Sequence, residues 1–443
     1  MGKFEPTNIK GASDFSPEQQ IRRNQITDVL KRNFESYGYL PLETAMLNYY
    51  ELLSYKYNEG AEILREIYKI KDQGDRDLGL RFDLTVPFCK FIAQNRSLRF
   101  PFKRYEIGKV FRNGPVKLGR AREFYQCDVD CVGVSGPHIE AEFVALAVKC
   151  YRDLGIDVVI KIGNRNMLAD VIALGTRGTD ASKSVATKQS RPEFEAIFSI
   201  LDRIEKVSRE QTLADLKRYG AEKLLGMKIE PNIELKELFA ILDEMGLKGS
   251  YEFAPYLVRG LNIYTGTVWE AFDRQKHITS SLGGGGRYDS IIGSFLGENV
   301  VSGPGVTPGG QRYPAVGTSF GLEPICAILN SKAQESATCI DIIIVPMGTE
   351  TAAQKFAENL RTQGLRVLVN LTGKSVGKAL EYANAEKIPF AAVLGANELK
   401  SGEINIKNMS TGAQKAFRMN QALDIKEYVG KKTIIKCKQK LET

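Results

Sequence analysis

The sequence predicts an α+β chain of several domains, and three observations carry the prediction. Period-two patterning runs from Phe102 to Val132; a helical stretch from about Asn166 to Gly249 interrupts strand-like segments; short apolar strands alternate with helices after Ser336. At 443 residues the chain is too long for one core and divides into two or three domains. A composition of 43% hydrophobic and 26% charged residues is that of a globular enzyme. There is no apolar run of membrane-spanning length and no leader, so cytoplasm is the expected location.

The first element is a helix from Ser16 to about Tyr37. Ser16 serves as N-cap, Pro17 takes the first helical position, and Gln19 closes a capping box. Ile26, Val29, Leu30 and Phe34 recur on one face, and Gly38 supplies a left-handed stop. A short strand is expected at Leu40 to Thr44. The Phe102 to Val132 segment reads as a long antiparallel hairpin with its loop at Asn113 to Gly119. On its second strand Arg122, Phe124, Gln126, Asp128 and Asp130 share one face; Tyr125, Cys127, Val129 and Cys131 share the other.

In the helical stretch, Phe194, Ile197, Phe198 and Leu201 form one apolar stripe and Leu235, Leu238, Phe239 and Leu242 another, both read as internal core. Strand character returns at Tyr256 to Asp273 and Thr279 to Tyr288, so the helices are an insertion in a sheet. Val300 to Gln311, rich in Gly, Pro, Val and Ser, reads as a mobile loop. Beyond a boundary near Ser331 to Ser336, strands at Ile340 to Val345, Arg366 to Leu371 and Phe390 to Leu394 mark a separate small α/β domain. A lysine cluster from Lys431 to Lys440 ends the chain.

Composition removes several chemistries. The seven cysteines are odd in number and scattered, so reduced thiols are expected; Cys127 and Cys131 have no neighbouring ligands for a zinc site. Only two histidines are present, His138 and His277, and neither lies in a triad or metal motif. A net charge of +8 has the sign expected for a polyanionic partner.

Four clusters hold the candidate chemistry. Leu80 to Pro87 places Asp83 and Thr85 two residues apart, read as one side of an extended segment fit to hold an ammonium group. Arg112, Arg120 and Arg122 surround the hairpin loop, and guanidinium groups bind phosphate oxygens in a fork. No GxxxxGK[ST] loop occurs, so a nucleotide would lie on a sheet held by side chains. Leu257 to Gly266 brings Arg259 and Tyr264 between glycines, as in a small-molecule pocket. Gly283 to Gly286, before Arg287, Tyr288 and Asp289, reads either as a flexible turn or as a close backbone approach to a ligand.

Together these segments resemble the class II aminoacyl-tRNA synthetases of the histidyl type, over nearly the whole chain. The hairpin is similar to class II motif 2, and RGLNIYTG and GGGGRYD resemble the two signatures peculiar to the histidyl family. The resemblance implies an antiparallel catalytic sheet in two parts, 1–165 and 250–330, a helical insertion at 166–249, an anticodon-binding domain at 337–443, and a homodimer. It implies ATP-dependent ligation of histidine to tRNA(His) through a histidyl-adenylate, with Mg²⁺ on the outer phosphates.

By position, Asp83, Thr85 and Gln126 would hold the substrate ammonium group, and Asp130, Tyr264 and Tyr288 would read the imidazole. Arg112, Arg120 and Glu123 would bind ATP. Arg259, between the amino-acid carboxylate and the α-phosphate, would act with Arg112 in the transition state. Three departures from the family pattern stand out: Pro324 stands where arginine is common, Asn113 and Gly114 where an acid often faces adenine, and Ala45 where proline is frequent. Two other readings share the fold, a regulatory protein of the ATP phosphoribosyltransferase type and an adenylate-forming paralogue that charges something other than tRNA. The α/β segment after Ser336 favours the synthetase over the regulatory type.

Overall fold

An eight-stranded sheet organises the first part of the computed structural model, which describes residues 5–55, 62–116, 119–175, 192–201, 203–204, 207–259, 263–296, 313–332 and 338–438. The chain falls into two compact units, Met1–Asp14 with Arg23–Lys332 and Phe15–Arg22 with Ala333–Thr443. In the first, the strands are β1 (Leu40–Pro41), β5 (Phe102–Phe111), β6 (Glu123–Val132), β7 (Val158–Asn164), β8 (Tyr251–Phe253), β9 (Thr267–Asp273), β10 (Gly283–Arg287) and β11 (Ala315–Gly321). Their order is β1-β5-β6-β11-β10-β9-β7-β8, antiparallel throughout except for the parallel pairs at the two edges. A smaller sheet of β2 (Leu47–Tyr49), β3 (Lys69–Lys71) and β4 (Asp77–Leu80) lies in the same unit.

The two faces of the large sheet do different work. Cys127, Val129 and Cys131 of β6, Trp269 and Ala271 of β9, and Val316 and Phe320 of β11 point into the main core. There they meet the helices Pro17–Ser36, Pro137–Asp153, Ile233–Glu244 and Leu322–Lys332. Trp269, the largest fully buried side chain, donates its indole N–H to Thr318 Oγ1 at 3.1 Å, so its bulk is buried without an orphaned donor. The helix Pro17–Ser36 begins as its sequence requires: Gln19 N–H donates to Ser16 Oγ and Ser16 N–H to Gln19 Oε1.

The insertion contains two kinds of helix. Phe194, Ile197, Phe198 and Leu201 pack with Leu168, Ile172, Leu216 and Leu224 in a core of their own, joined by Val258. The helix Ile233–Glu244 instead places Leu235, Leu238 and Leu242 in the main core against the sheet. Periodicity shows which face of a helix is apolar and leaves open what that face meets.

The second unit is a five-stranded sheet, β12 (Ile342–Pro346), β13 (Val367–Val369), β14 (Phe390–Leu394), β15 (Glu403–Asn408) and β16 (Gln414–Arg418), in the order β13-β12-β14-β15-β16. Its first three strands are parallel, as apolar strands alternating with helices demand, and the last two form an antiparallel hairpin. Residues 300–311, read as a mobile loop, lie outside the described residues.

One expectation needs correction. Asp83 and Thr85 do not lie along an extended segment: the strand ends at Leu80 and a helix starts at Thr85. Asp83 Oδ1 accepts the Val86 amide at 3.0 Å, which satisfies a first-turn N–H and favours the helix over continued strand.

A buried ion network ties this turn to the sheet. Glu106 of β5 lies 2.6 Å from Arg81 Nη1 and 3.3 Å from Arg104 Nη1, and accepts the Thr44 amide at 3.0 Å. Arg81 also donates to the carbonyls of Lys109 and Thr44. Removing one partner of such a pair leaves a buried charge uncompensated. Arg81→Met is therefore expected to destabilise the first unit by about 3 kcal/mol or more in urea denaturation. A near-native midpoint would mean that Glu106 is neutralised by other means.

Candidate active site

The second face of the large sheet carries Arg104, Glu106 and Gly108 of β5, Gln126, Asp128 and Asp130 of β6, Gly317, Ser319 and Gly321 of β11, Gly284 and Gly286 of β10, and Glu270 of β9. This follows from strand alternation and the cross-strand register, in which Asp130 opposes Arg104 and Gly317, Asp128 opposes Glu106 and Ser319, and Gly286 opposes Gly317. A polar strand face by itself suggests solvent. Here Glu106, Asp128 and Asp130 are each no more than 3% exposed, because the helix Thr85–Gln94 and the segment Tyr288–Phe295 cover this side.

Glycines form the floor. A Cβ on Gly317 would lie 2.0 Å from Asp130 Oδ1, one on Gly286 2.8 Å from the Tyr264 ring, and one on Gly284 2.8 Å from Arg259 Nη1. A Cβ on Gly108 would lie 2.3 Å from Arg81 Nη2. Functional side chains thus rest directly on the peptide backbone, at positions where even alanine would displace them. The glycine run is a strand with close approaches on it, which decides between the two sequence readings of that segment.

Asp130 is held from two sides. Tyr288 OH donates to its Oδ1 at 2.5 Å, and Arg104 Nη2 lies 2.7 Å from its Oδ2. Burial pushes the Asp130 carboxyl upward, while Arg104 and the Tyr288 hydroxyl oppose the shift. Burial raises Asp128 too, as does the charge of Asp130 beside it. Asp83 is pushed up to about 6 by burial, against the pull of the Val86 amide and the Arg112 guanidinium. Burial likewise raises Tyr264 and Tyr288, so both phenols stay protonated as hydrogen-bond donors.

Two arginines border this face. Arg112, at the end of the first hairpin strand, donates Nε to the Phe82 carbonyl at 2.9 Å and lies over the Phe124 ring, with its charge felt at Asp83. Arg259 has φ 54, in the left-handed region, and lies 5.4 Å from the Tyr264 ring centroid. Its Nε is 3.5 Å from Glu270 Oε1. The preceding Val258 is buried in the core of the inserted helices, and Tyr256 OH donates to the Leu224 carbonyl. The insertion therefore anchors the segment that delivers Arg259.

Of the residues named from sequence, Asp83, Gln126, Asp130, Tyr264, Tyr288, Arg112 and Arg259 gather at this face, and Thr85 opens the adjoining helix, half-buried. Glu123 does not join them. It points to the other side of β6 and lies 2.5 Å from Lys109, its odd spacing from Gln126 putting it out of phase with the site. Arg120 is exposed at the far side of the hairpin loop. Pro324 is close: a Cβ on Gly321 would lie 2.7 Å from its ring, on the site side of β11 beside Gln126. The sequence reading assigned no role to Arg104, Glu106, Ser319 or Asp128, although strand parity puts all four on this face.

Comparison with known proteins follows the same lines. A family model described as histidyl-tRNA synthetase matches residues 11–325, and one described as an anticodon binding domain matches residues 341–427. A Bacillus cereus protein named Histidine--tRNA ligase 1 is 42% identical over 428 residues, 93% of this chain and 97% of that protein. Histidine--tRNA ligase 2 of Shouchella clausii is 38% identical over 441 residues, covering 94% and 98%. The crystal structure of histidyl-tRNA synthetase from Nostoc superposes with a TM-score of 0.74 at 24% identity, over 96% of this chain and 100% of that one, and shows the same fold.

The raised Asp83 carboxyl yields a signed prediction. A folded-state value of about 6 against an ordinary 3.8 means that its stabilising contribution is present below pH 4 and is lost as pH rises to 6. Asp83→Asn escapes that loss and keeps an acceptor for the Val86 amide. Its stability relative to the native protein is expected to grow from near zero at pH 4 to roughly 3 kcal/mol at pH 8. Denaturation at both pH values tests this, and a variant less stable than native at pH 8 would refute it.

Proposed function

The chain belongs to the histidyl-tRNA synthetase family and attaches histidine to tRNA, and on that premise we propose how the glycine-floored face carries out the reaction. Histidine and ATP bind here, with the imidazole between Asp130, Tyr264 and Tyr288. A carboxylate suits an imidazole N–H, which an apolar pocket would leave unsatisfied. Asp83, Thr85 and Gln126 receive the ammonium group.

The substrate carboxylate oxygen attacks the α-phosphorus of ATP; the new O–P bond forms as the bond to pyrophosphate breaks, giving histidyl-adenylate. A tRNA hydroxyl then attacks the activated carbonyl, the ester bond forming as the bond to AMP breaks, and the hydroxyl proton passes to the departing phosphate. The attacking carboxylate is already ionised, so no general base is needed in the first step. Arg259 and Arg112 offset charge on the reacting groups, and the work is positioning plus electrostatics. Mg²⁺ bound with ATP would offset phosphate charge, a role that would ask few ligands of the protein. Arg120, exposed on the hairpin loop, meets the outer phosphates when the nucleotide is present.

The observation that supports this most directly is a set of buried oxygens at this face, Asp83 Oδ2 and Gln126 Oε1 among them, with no hydrogen-bond donor among the described residues. Buried acceptors of that kind await a ligand donor. We propose further that the protein is a cytoplasmic homodimer with a catalytic domain in two parts, 1–165 and 250–330, around the insertion at 166–249. Residues 337–443 contact the anticodon of tRNA(His). A regulatory protein without catalysis is disfavoured by the ligase relatives and by the anticodon-binding match at 341–427.

Histidine-dependent exchange of pyrophosphate into ATP, followed by charging of tRNA(His), tests the reading; a protein that does neither is not an active ligase. Arg259→Ala is expected to lower exchange by about 10³-fold, as removal of a preorganised cation from a developing charge does. Near-normal exchange would remove Arg259 from the reaction. Pro324→Arg restores a cation where proline offers no donor, and is expected to lower KM for ATP several-fold with KM for histidine unchanged. If KM for ATP fails to fall, position 324 does not reach the nucleotide.

A further inference from the structure

Two arginines are fully buried at this face of the sheet, and both are committed. Arg81 pairs with Glu106, and Arg104 with Glu106 and Asp130. A third carboxyl on the same strand face, Asp128, is 3% exposed and takes part in no ion pair among the described residues. It stands between Gln126 and Asp130 on β6, flanked by Glu106 on β5 and Ser319 on β11.

Ser319 supplies it a hydrogen bond. Gln126 donates Nε2 to that hydroxyl oxygen at 3.2 Å, so a relay runs from Gln126 through Ser319 to Asp128. The relay orients both partners: among the described residues, Gln126 spends its N–H and leaves Oε1 buried without a donor, and Asp128 leaves Oδ1 in the same state. Asp83, whose charge is felt at Asp128, adds Oδ2 as a third buried oxygen without a donor among those residues. A primary ammonium group has three N–H donors and the positive charge that Asp128 lacks.

We infer that Asp128 is a specificity-determining residue that receives the substrate's ammonium group alongside Asp83 and Gln126. This rests on the reading of the face as the histidine site and adds to it a residue and a charge. Burial and the neighbouring Asp130 raise the Asp128 carboxyl, as expected of an acid whose counter-ion comes with the ligand. The Ser319 relay makes the assignment geometric as well as electrostatic, and explains why a serine lies between two glycines on that face of β11.

Asp128→Asn keeps the shape and an acceptor for Ser319 while removing the charge. Two ligands separate the roles: L-histidine, and 3-(imidazol-4-yl)propionate, which has the ring and carboxylate without the amine. Calorimetric titration of native and variant full-length protein with each, plus KM for ATP, reads the outcome. Histidine affinity is expected to fall at least about 10-fold, the usual loss when a charged acceptor is removed from a buried ammonium. Affinity for the amine-free analogue should stay within about 2-fold, as should KM for ATP.

Equal losses for both ligands would make Asp128 a structural residue and overturn the inference; unchanged histidine affinity would overturn it as well. Native protein with no affinity for histidine would instead bring down the reading of the face itself. The two failures are therefore distinguishable.

Discussion

A carboxylate taken out of water must find a positive charge or keep its proton, and this constraint shapes the catalytic unit. Asp83, Glu106, Asp128 and Asp130 are all buried on one side of the sheet, against the fully buried Arg81 and Arg104. The arginines settle on Glu106 and Asp130, which fixes β5, β6 and the turn before the helix Thr85–Gln94. What remains is a site with more acid than base, held ready for a cation. Asp83 and Asp128 are both shifted toward the protonated form by burial, and a ligand ammonium reverses that pressure.

Much of this was legible in the sequence, and the limits have a physical origin. The hairpin and the division of β6 into polar and packing faces follow from period two, which is local information. So does the mistake over Glu123: one residue out of phase with Gln126, it had to face the other way. Asp83 is not extended because its carboxylate accepts the Val86 amide just ahead of the helix, a bond that sequence does not display, and Leu80 to Pro87 contains no clear break after the strand. Asp128 was seen on the right face without a role, because its partner Ser319 is far along the chain and meets it only when β11 pairs with β6. Four consecutive glycines fit a turn as well as a strand until the neighbouring strands are known.

Two of the three departures from the family pattern fall where the proposed reading puts the nucleotide. The residues proposed for the imidazole and the ammonium group are present together, whereas Pro324 supplies no donor at the edge of β11 and Gly114 offers no acid in the hairpin loop. A Cβ on Gly114 would meet Glu66 Oε1 at 2.6 Å, so a carboxylate from another segment stands beside the position where the loop itself has none. Amino-acid recognition by buried charge tolerates little change. A phosphate chain in a wetter setting, gripped by several cations, tolerates more.

The glycine strand has one more consequence. Gly283 to Gly286 run through the middle of the sheet without a single side chain, and the room this leaves is taken by the Tyr151 hydroxyl, the Arg259 guanidinium and the Tyr264 ring. Close packing cannot hold those groups and a methyl on the same strand at once. The composition of this strand is thus dictated by its neighbours, and its own share of the fold is backbone pairing alone.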